Sequence, residues 1–199
     1  MKILLIGALG LIGAAVAAEL GARHDLVRAG RKADVPVDIT DPQSIAAMYA
    51  RLGRVDAVVC AAGHAYFGPL ASMTEANVYV GIRDKLMGQV NLVLLGQDAV
   101  SDGGSFTLTT GVLADDYIRN GAAASLVNGG VEAFARSAAL ELPRGIRINV
   151  VSPTVITEAL GKYESFFRGF QPVTAARAAL GYAKSVEGAQ TGQIIRIHG

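Results

Sequence analysis

The sequence predicts an α/β domain built on a doubly wound parallel sheet of about seven strands, with helices on both faces. Short runs rich in β-branched residues alternate along the chain with stretches that carry apolar residues every three or four positions. Strands that alternate with helices need crossover connections, and these cover a parallel sheet on both faces. With 51% apolar residues in 199, the chain can bury a sizeable core. We therefore expect a single domain over residues 1–199.

Each predicted strand is a short apolar or β-branched run followed by a small or polar residue. The first is a continuous apolar run, which is typical of a strand buried on both faces of a sheet. The predicted strands are, in order, Lys2–Ile6, Asp25–Ala29, Val35–Ile39, Val55–Ala61, Gly104–Thr109, Ile146–Val151 and Gln193–His198.

The predicted helices lie between these strands. Helical periodicity is present in Gly10–Gly21, Glu75–Gln97 and Ala122–Leu142. The second of these segments is either one long helix or two helices joined at Gly81 or Gly88. A further helix is predicted to open at Asp41, where a capping residue is followed by Pro in the first turn.

Charge and cysteine usage exclude several classes of partner. Eighteen basic residues against seventeen acidic ones leave a net charge of +1, so we expect neither nucleic acid nor an anionic membrane as a partner. A lone cysteine, Cys60, cannot form an intrachain disulfide and fits a reducing, cytoplasmic setting. We interpret the apolar amino-terminal stretch as the first strand and helix, because Glu19 interrupts it and its glycines are spaced for a loop. No metal site is predicted.

Three glycines at intervals of three residues follow the first strand. Glycine permits a tight turn, close approach of the backbone to a pyrophosphate, and close packing of a helix on a strand. The helix N-terminus adds N–H donors and partial positive charge. We therefore predict that a dinucleotide pyrophosphate is held by Gly7, Ala8, Gly10, Leu11, Ile12 and Gly13. The alternative is a tight strand-to-helix turn without a ligand.

The end of the second strand is basic. It offers Gly30, Arg31 and Lys32 and no carboxylate, whereas a fold that prefers NAD places an acidic residue there to bind the ribose hydroxyls. A guanidinium can form charge-assisted bonds to a 2′-phosphate. We therefore expect Arg31 and Lys32 to favour NADP(H) over NAD(H). The alternative is a solvated basic turn.

Two further loops are expected to contact the nucleoside. After the third predicted strand, Asp38 can accept a hydrogen bond from the adenine amino group, with Ile39 beside it. After the fourth, Ala61, Ala62 and Gly63 form a small-residue turn that lets the backbone lie against the ribose. Asp38 is equally explained as a turn residue.

With these loops in order, the chain resembles the short-chain dehydrogenase/reductase family over nearly its whole length. The segments that carry the resemblance are GALGLIG, DITD, CAAG, GGSFTLTTG, GGVEAFARSAALEL, GIRINVVSPTVIT and TGQIIRIHG. The resemblance implies a Rossmann-type fold, a nicotinamide cofactor, and hydride transfer to or from a carbonyl or an alcohol. The GxxGxxG spacing is similar to that of the family's extended and atypical members.

The resemblance also implies a Tyr and a Lys, spaced YxxxK on the helix after the fifth predicted strand. In the family the phenol exchanges a proton with the substrate, and the Lys lowers the pKa of the phenol. Alignment on GGVEAF places Ala124 and Asn128 at these two positions, and neither can perform the chemistry. The candidates for a replacement are Thr110, Lys85 and Tyr117. Tyr117 is equally explained as a packed aromatic residue in a solvated loop.

Other positions follow from the same resemblance. It implies that Thr109 and Pro153 lie beside the cofactor. The segment from about 154 to 190 is expected on the substrate side, and its Phe166, Phe167 and Phe170 either line a substrate pocket or form an ordinary packed cluster. The two long helices correspond to those through which family members pair, so a homodimer or homotetramer is expected.

Two functions remain open at this point. The first is an NADP(H)-dependent oxidoreductase with a non-standard active site, acting on a small carbonyl or alcohol. The second is a non-catalytic NADP(H)-binding redox sensor or scaffold, which the loss of the Tyr and Lys favours.

Overall fold

A sheet of six parallel strands forms the centre of the molecule. The computed structural model describes residues 1–199, apart from the side chain of residue 162. The strand order across the sheet is β2-β1-β3-β4-β5-β6. The strands are β1 (Lys2–Ile6), β2 (Asp25–Ala29), β3 (Val55–Cys60), β4 (Val100–Thr109), β5 (Arg147–Pro153) and β6 (Ile194–Ile197).

Helices cover both faces of the sheet. They are α1 (Leu11–Gly21), α2 (Pro42–Leu52), α3 (Glu75–Gly81), α4 (Met87–Gly96), α5 (Ala122–Ala138), α6 (Leu160–Tyr163) and α7 (Ala175–Glu187). In β1, Leu4 and Ile6 pack in a core shared with α2, α4 and α5. Ile3 and Leu5 pack in a second core shared with α1 and α7. Burial on both sides explains the continuous apolar run of this strand.

The predicted strand Val35–Ile39 is wrong. Only Val35 pairs, in an isolated bridge to Ala29, and the sheet therefore has six strands rather than about seven. Pro36 has no N–H to donate to a ladder. The chain turns tightly instead, with the Gly30 N–H donating to the Val35 carbonyl and the Val37 N–H donating to the Gly30 carbonyl.

The other predicted boundaries need smaller corrections. β4 begins at Val100, ahead of the predicted Gly104, and a register shift separates its first pairing with β3 from the rest. The predicted helix Glu75–Gln97 is interrupted: α3 ends at Gly81, a π-helical turn spans Ile82–Leu86, and α4 follows. Helix α5 ends at Ala138, four residues earlier than predicted.

Helix α7 was not predicted. Its buried positions, among them Ala175, Ala178, Ala179, Tyr182 and Val186, recur at helical spacing, and the last three pack against the sheet beside α1. The segment expected on the substrate side, at about 154–190, therefore has two parts. Only the part before α7 lies beyond the carboxyl ends of the strands, and α7 itself packs on a face of the sheet.

Within the described part of the chain, none of the helices has the length and apolar character needed to cross a membrane. Among the described side chains, no group of three or more His, Cys, Asp or Glu residues is arranged to hold a metal ion.

A buried hydroxyl pair ties α7 to the sheet just below the strand ends. Thr109 Oγ1 donates to the Cys60 carbonyl at 2.5 Å and accepts from the Tyr182 phenol at 2.7 Å. Tyr182 is completely buried. The pair therefore joins β3, β4 and α7 at the level where the site begins.

Replacement of Tyr182 by Phe tests this contact. Tyr182→Phe removes one buried hydrogen bond, so we expect the free energy of unfolding to fall by about 1 kcal/mol in urea denaturation. The matched control is Tyr79→Phe, because Tyr79 is exposed and lies on α3, away from the pair. Equal effects of the two substitutions would contradict this role.

Candidate functional site

The loops after β1, β2 and β3 meet at the carboxyl edge of the sheet around a cavity of about 320 Å³. Six residues predicted from the sequence to contact a nucleotide line this cavity. They are Gly7, Arg31, Asp38, Ile39, Ala62 and Gly63. The structure therefore brings these predicted positions together, although they are spread over more than fifty residues of sequence.

The glycine loop is shaped by close backbone contacts. Gly7 has φ of +83°, and a Cβ there would lie 2.8 Å from the Ala61 carbonyl oxygen. A Cβ on Gly13 would collide with the Gly7 carbonyl oxygen. Helix α1 therefore starts directly on the end of β1, and glycine is required at both positions.

The N-terminus of α1 faces this edge with free donors. Its N-cap is Gly10, which has no side chain to accept a hydrogen bond. The N–H groups of the first three helical residues, Leu11, Ile12 and Gly13, have no partner within an α-helix. Such groups bind anions, and the glycine loop leaves room for one. The side chain of Ala8 is buried beneath the loop, so only the backbone of Ala8 remains for a ligand.

Of the two cations predicted at the end of β2, one lines the cavity. Arg31 and Asp38 both line the cavity, whereas Lys32 does not. The Asp38 carboxylate accepts from Thr40 N at 2.9 Å and from Thr40 Oγ1 at 2.8 Å. These bonds, with a smaller contribution from the Arg31 charge, hold the pKa of Asp38 below its ordinary value. Asp38 is therefore an anion beside a guanidinium.

A second cavity begins at Gly63 and His64, where it meets the first, and runs across the ends of β4 and β5. This cavity has a volume of about 230 Å³ and includes Lys85, Thr110 and Pro153 in its lining. A third cavity, of about 460 Å³, lies beside it and shares Ile12 and Gly63 with it. The three cavities form one groove from Arg31 to the segment around α6.

Helix α5 contributes Ala124 and Asn128 to the lining of the second cavity. The two residues lie one helical turn apart and are 97% and 96% buried. Asn128 Oδ1 is buried and has no hydrogen-bond partner among the described residues. A buried amide oxygen without a partner is costly, so a ligand hydroxyl at this point would be stabilising.

Lys85 lies in the π-helical turn and reaches the same cavity. Its Nζ donates to the Thr110 carbonyl at 3.4 Å, and its side-chain stem packs so closely on Gly63 that a Cβ there would lie 2.8 Å from Lys85 Cγ. Burial lowers the pKa of Lys85 to about 8, against the opposing effect of the neighbouring Asp84 carboxylate. The ammonium is therefore held in the cavity with a proton that is easier to remove than in water.

Two buried polar residues that the sequence analysis missed hold this arrangement. Gln89, completely buried, accepts from Thr109 N at 2.7 Å and donates to the carbonyls of Thr109 and Lys85. Glu132 accepts from Thr110 Oγ1 at 3.0 Å, and burial raises the pKa of this carboxyl. A polar residue inside an apolar helix face, as at Gln89, is the signal that could have identified it.

Thr109 and Tyr117, two further residues predicted from the sequence, do not line the cavity that contains Lys85. Thr109 is buried below the groove, where its hydroxyl is used by Cys60 and Tyr182. Tyr117 is 70% exposed and lines none of the cavities of the groove described above. Its hydroxyl donates to the Ala114 carbonyl at 3.5 Å. His64, in contrast, lines the first and second cavities, and its backbone N–H donates to Asp84.

Aromatic residues close the far side of the groove. Phe167 lines the second and third cavities, as predicted for one of the two alternatives, while Phe166 packs on Phe67 and Phe170 packs edge-on against Phe167. Tyr163 also lines both cavities and was not singled out in the sequence.

The molecule has a parallel sheet covered by helices, a glycine loop that leads into a helix N-terminus, and a groove across the carboxyl edge of the sheet. These features define a dinucleotide-binding protein of Rossmann type. The family model described as enoyl-(acyl carrier protein) reductase matches residues 11–192. The chain belongs to the short-chain dehydrogenase/reductase family, an oxidoreductase family that binds nicotinamide cofactors.

Solved structures agree with this family. The protein lin1944 from Listeria innocua is 53% identical, with a TM-score of 0.98 and complete coverage of both chains. A small-chain dehydrogenase is 25% identical, with a TM-score of 0.87, covering 100% of this chain and 96% of its own. A small-chain dehydrogenase in complex with NADPH shares the fold at 23% identity, with a TM-score of 0.88 and the same coverage. No curated protein matches the chain.

The influence of Asp84 on Lys85 can be measured directly. The Asp84 charge raises the pKa of Lys85 against the effect of burial, so Asp84→Asn should move that pKa further below about 8. The measurement is an NMR titration of the lysine side chain. Asp98→Asn, an exposed carboxylate at the amino end of β4, is the control. An unchanged or raised pKa in Asp84→Asn would contradict the assignment.

Proposed function

We propose that the protein is an NADP(H)-dependent oxidoreductase that interconverts a small carbonyl compound and its alcohol, with Lys85 as the proton-exchanging residue. The observation that carries the proposal is the position of Lys85. Lys85 is half-buried, has a lowered pKa, and lies in the cavity that meets the first cavity at Gly63 and His64. A proton donor at that point is what a carbonyl needs when it accepts a hydride.

The residues of the groove fit a nicotinamide dinucleotide. The free N–H groups of α1 would bind the pyrophosphate, and Arg31 would bind a 2′-phosphate. Asn128 Oδ1 would gain the partner it lacks from a ribose hydroxyl. When bound there, NADPH supplies the hydride. The NADPH complex of a structural neighbour is consistent with this choice, and the preference over NAD(H) rests on Arg31.

The chain's own residues account for the proton. Lys85 Nζ donates one hydrogen bond to the Thr110 carbonyl, which leaves two N–H bonds for a substrate oxygen. In carbonyl reduction Lys85 gives a proton to the developing alkoxide and becomes a neutral amine, which solvent reprotonates. In alcohol oxidation the neutral amine accepts that proton. Thr110 acts as a positioning residue, because its hydroxyl is bonded to Glu132.

Cofactor selectivity is tested at Arg31. Loss of a charge-assisted contact to phosphate should raise the Kd for NADPH by about tenfold or more in Arg31→Ala, with little change for NADH. Calorimetric titration measures both constants. Arg28→Ala removes an exposed arginine that does not line the cavity and serves as the control. A similar loss for both cofactors in Arg31→Ala would contradict a 2′-phosphate contact.

The role of Lys85 is tested by the pH dependence of NADPH-linked carbonyl reduction. Reduction needs the protonated ammonium, so the rate should fall as the pH rises through about 8, and alcohol oxidation should rise over the same range. Lys85→Met should lower kcat by roughly a hundredfold or more. Lys85→Arg keeps the charge and should lose the inflection near pH 8. A wild-type profile that persists in Lys85→Met would exclude the residue as the donor.

A non-catalytic NADP(H)-binding sensor or scaffold is the alternative, and Ala124 favours it because no phenol stands at that position of α5. The two functions are separated by NADPH oxidation with a panel of aldehydes, ketones and quinones beside a fluorescence titration of NADPH binding. Turnover with any of them supports the oxidoreductase. Binding without turnover supports the sensor.

The proposal includes a homo-oligomer in the cytoplasm. Leu94 on α4 and Leu126 on α5 are about half exposed, which suits pairing through these helices into a homodimer or homotetramer. Cys60 is buried and unpaired, as expected in a reducing setting.

A further inference from the structure

The far wall of the groove consists of three aromatic rings. Phe67, Tyr163 and Phe167 each line both the second and the third cavity. The centroid of the Phe67 ring lies 6.1 Å from that of Tyr163, and the Tyr163 ring meets Phe167 edge-on at 6.4 Å. The rings come from the loop after β3 and from the segment around α6, so the wall is assembled only in the folded chain.

Aliphatic side chains complete this end of the groove. Val155 and Ile156 line both cavities, Leu113 lines the second, and Ala124 presents only a methyl group to the second. Among the described side chains that line these two cavities, only Lys85 and His64 are basic, and none is a carboxylate. Both belong to the part of the groove beside Gly63, where Lys85 packs on that residue and His64 follows it in the chain.

The apolar and aromatic character of this wall determines which ligands bind favourably against it. An aromatic ring gains area burial and ring-to-ring contacts against such a wall. A carboxylate or phosphate on the same part of a ligand would lose its hydration, and none of the described side chains of this wall is a cation that could pair with it. The reacting oxygen must face Lys85, so the rest of the molecule extends toward the rings.

We propose that the substrate is an uncharged carbonyl compound with an aromatic ring attached to the carbonyl carbon. This inference rests on the proposed function and specifies its substrate class. In the reduction, the carbonyl carbon gains a hydride from NADPH and the oxygen gains a proton from Lys85. The products are the aryl alcohol, NADP⁺ and a neutral lysine amine that solvent reprotonates.

Calorimetry with three ketones of similar size tests the proposal in the presence of saturating NADP⁺, so that no reduction takes place. The probes are 4-methylacetophenone, 4-acetylbenzoate and cyclohexyl methyl ketone. Desolvation of the carboxylate should make 4-acetylbenzoate bind at least about tenfold more weakly than 4-methylacetophenone. The cyclohexyl ketone should bind less tightly than the aromatic one, because it lacks the ring-to-ring contacts.

Substitutions locate the binding. Phe167→Ala should weaken binding of 4-methylacetophenone by about tenfold or more, through loss of buried area and an aromatic contact. Phe167→Leu keeps an apolar side chain and should give a smaller loss, which guards against a folding defect in the Ala variant. Leu140→Ala, at a position 88% exposed near the end of α5, should leave the Kd unchanged.

The outcomes separate this inference from the proposed function. Equal or tighter binding of 4-acetylbenzoate or of the cyclohexyl ketone would overturn the aromatic substrate class. So would an equal effect of Phe167→Ala and Leu140→Ala. Selective binding of 4-methylacetophenone without NADPH-linked turnover would leave the binding site established and reject the oxidoreductase.

Discussion

Backbone contact at the carboxyl ends of β1, β2 and β3 is the constraint on which the site depends. The Gly7 N–H donates to the Ala29 carbonyl at 2.9 Å, and the Ala61 N–H donates to the Ile6 carbonyl at 2.9 Å. These bonds extend the sheet by one residue beyond its strands. Any side chain at Gly7 would meet the Ala61 carbonyl, so glycine alone permits the contact and leaves the α1 N-terminus open to an anion.

The π-helical turn between α3 and α4 has a comparable effect at the reacting end. It directs two adjacent charged residues to different strand ends: Asp84 accepts the N–H of His64, and Lys85 donates to the Thr110 carbonyl. A regular α-helix turns adjacent side chains apart by about 100°, and single π-helical turns are frequent at functional sites. The site therefore obtains an ammonium from the π-helical turn, while α5 supplies Ala124 and the amide of Asn128.

Much of this could be predicted from local sequence. The bounds of β1 and β2 follow from their runs of residues, and the glycine loop from its spacing after a strand. The strand expected at 35–39 failed because a single Pro outweighs the apolar pattern around it. Tertiary packing decides which tyrosine reaches the groove: Tyr117, the candidate from the sequence, is exposed, whereas Tyr163 at the end of α6 lines the cavities. The orphan oxygen of Asn128 depends on contacts that no sequence pattern reveals.

The most direct test of a dinucleotide across the carboxyl edge is amide hydrogen exchange with and without NADPH. The account predicts slower exchange on binding in residues 7–13 and 61–64, with no comparable change at the opposite edge, as at Asp98. Protection at that opposite edge, or an unchanged glycine loop at saturating NADPH, would contradict it.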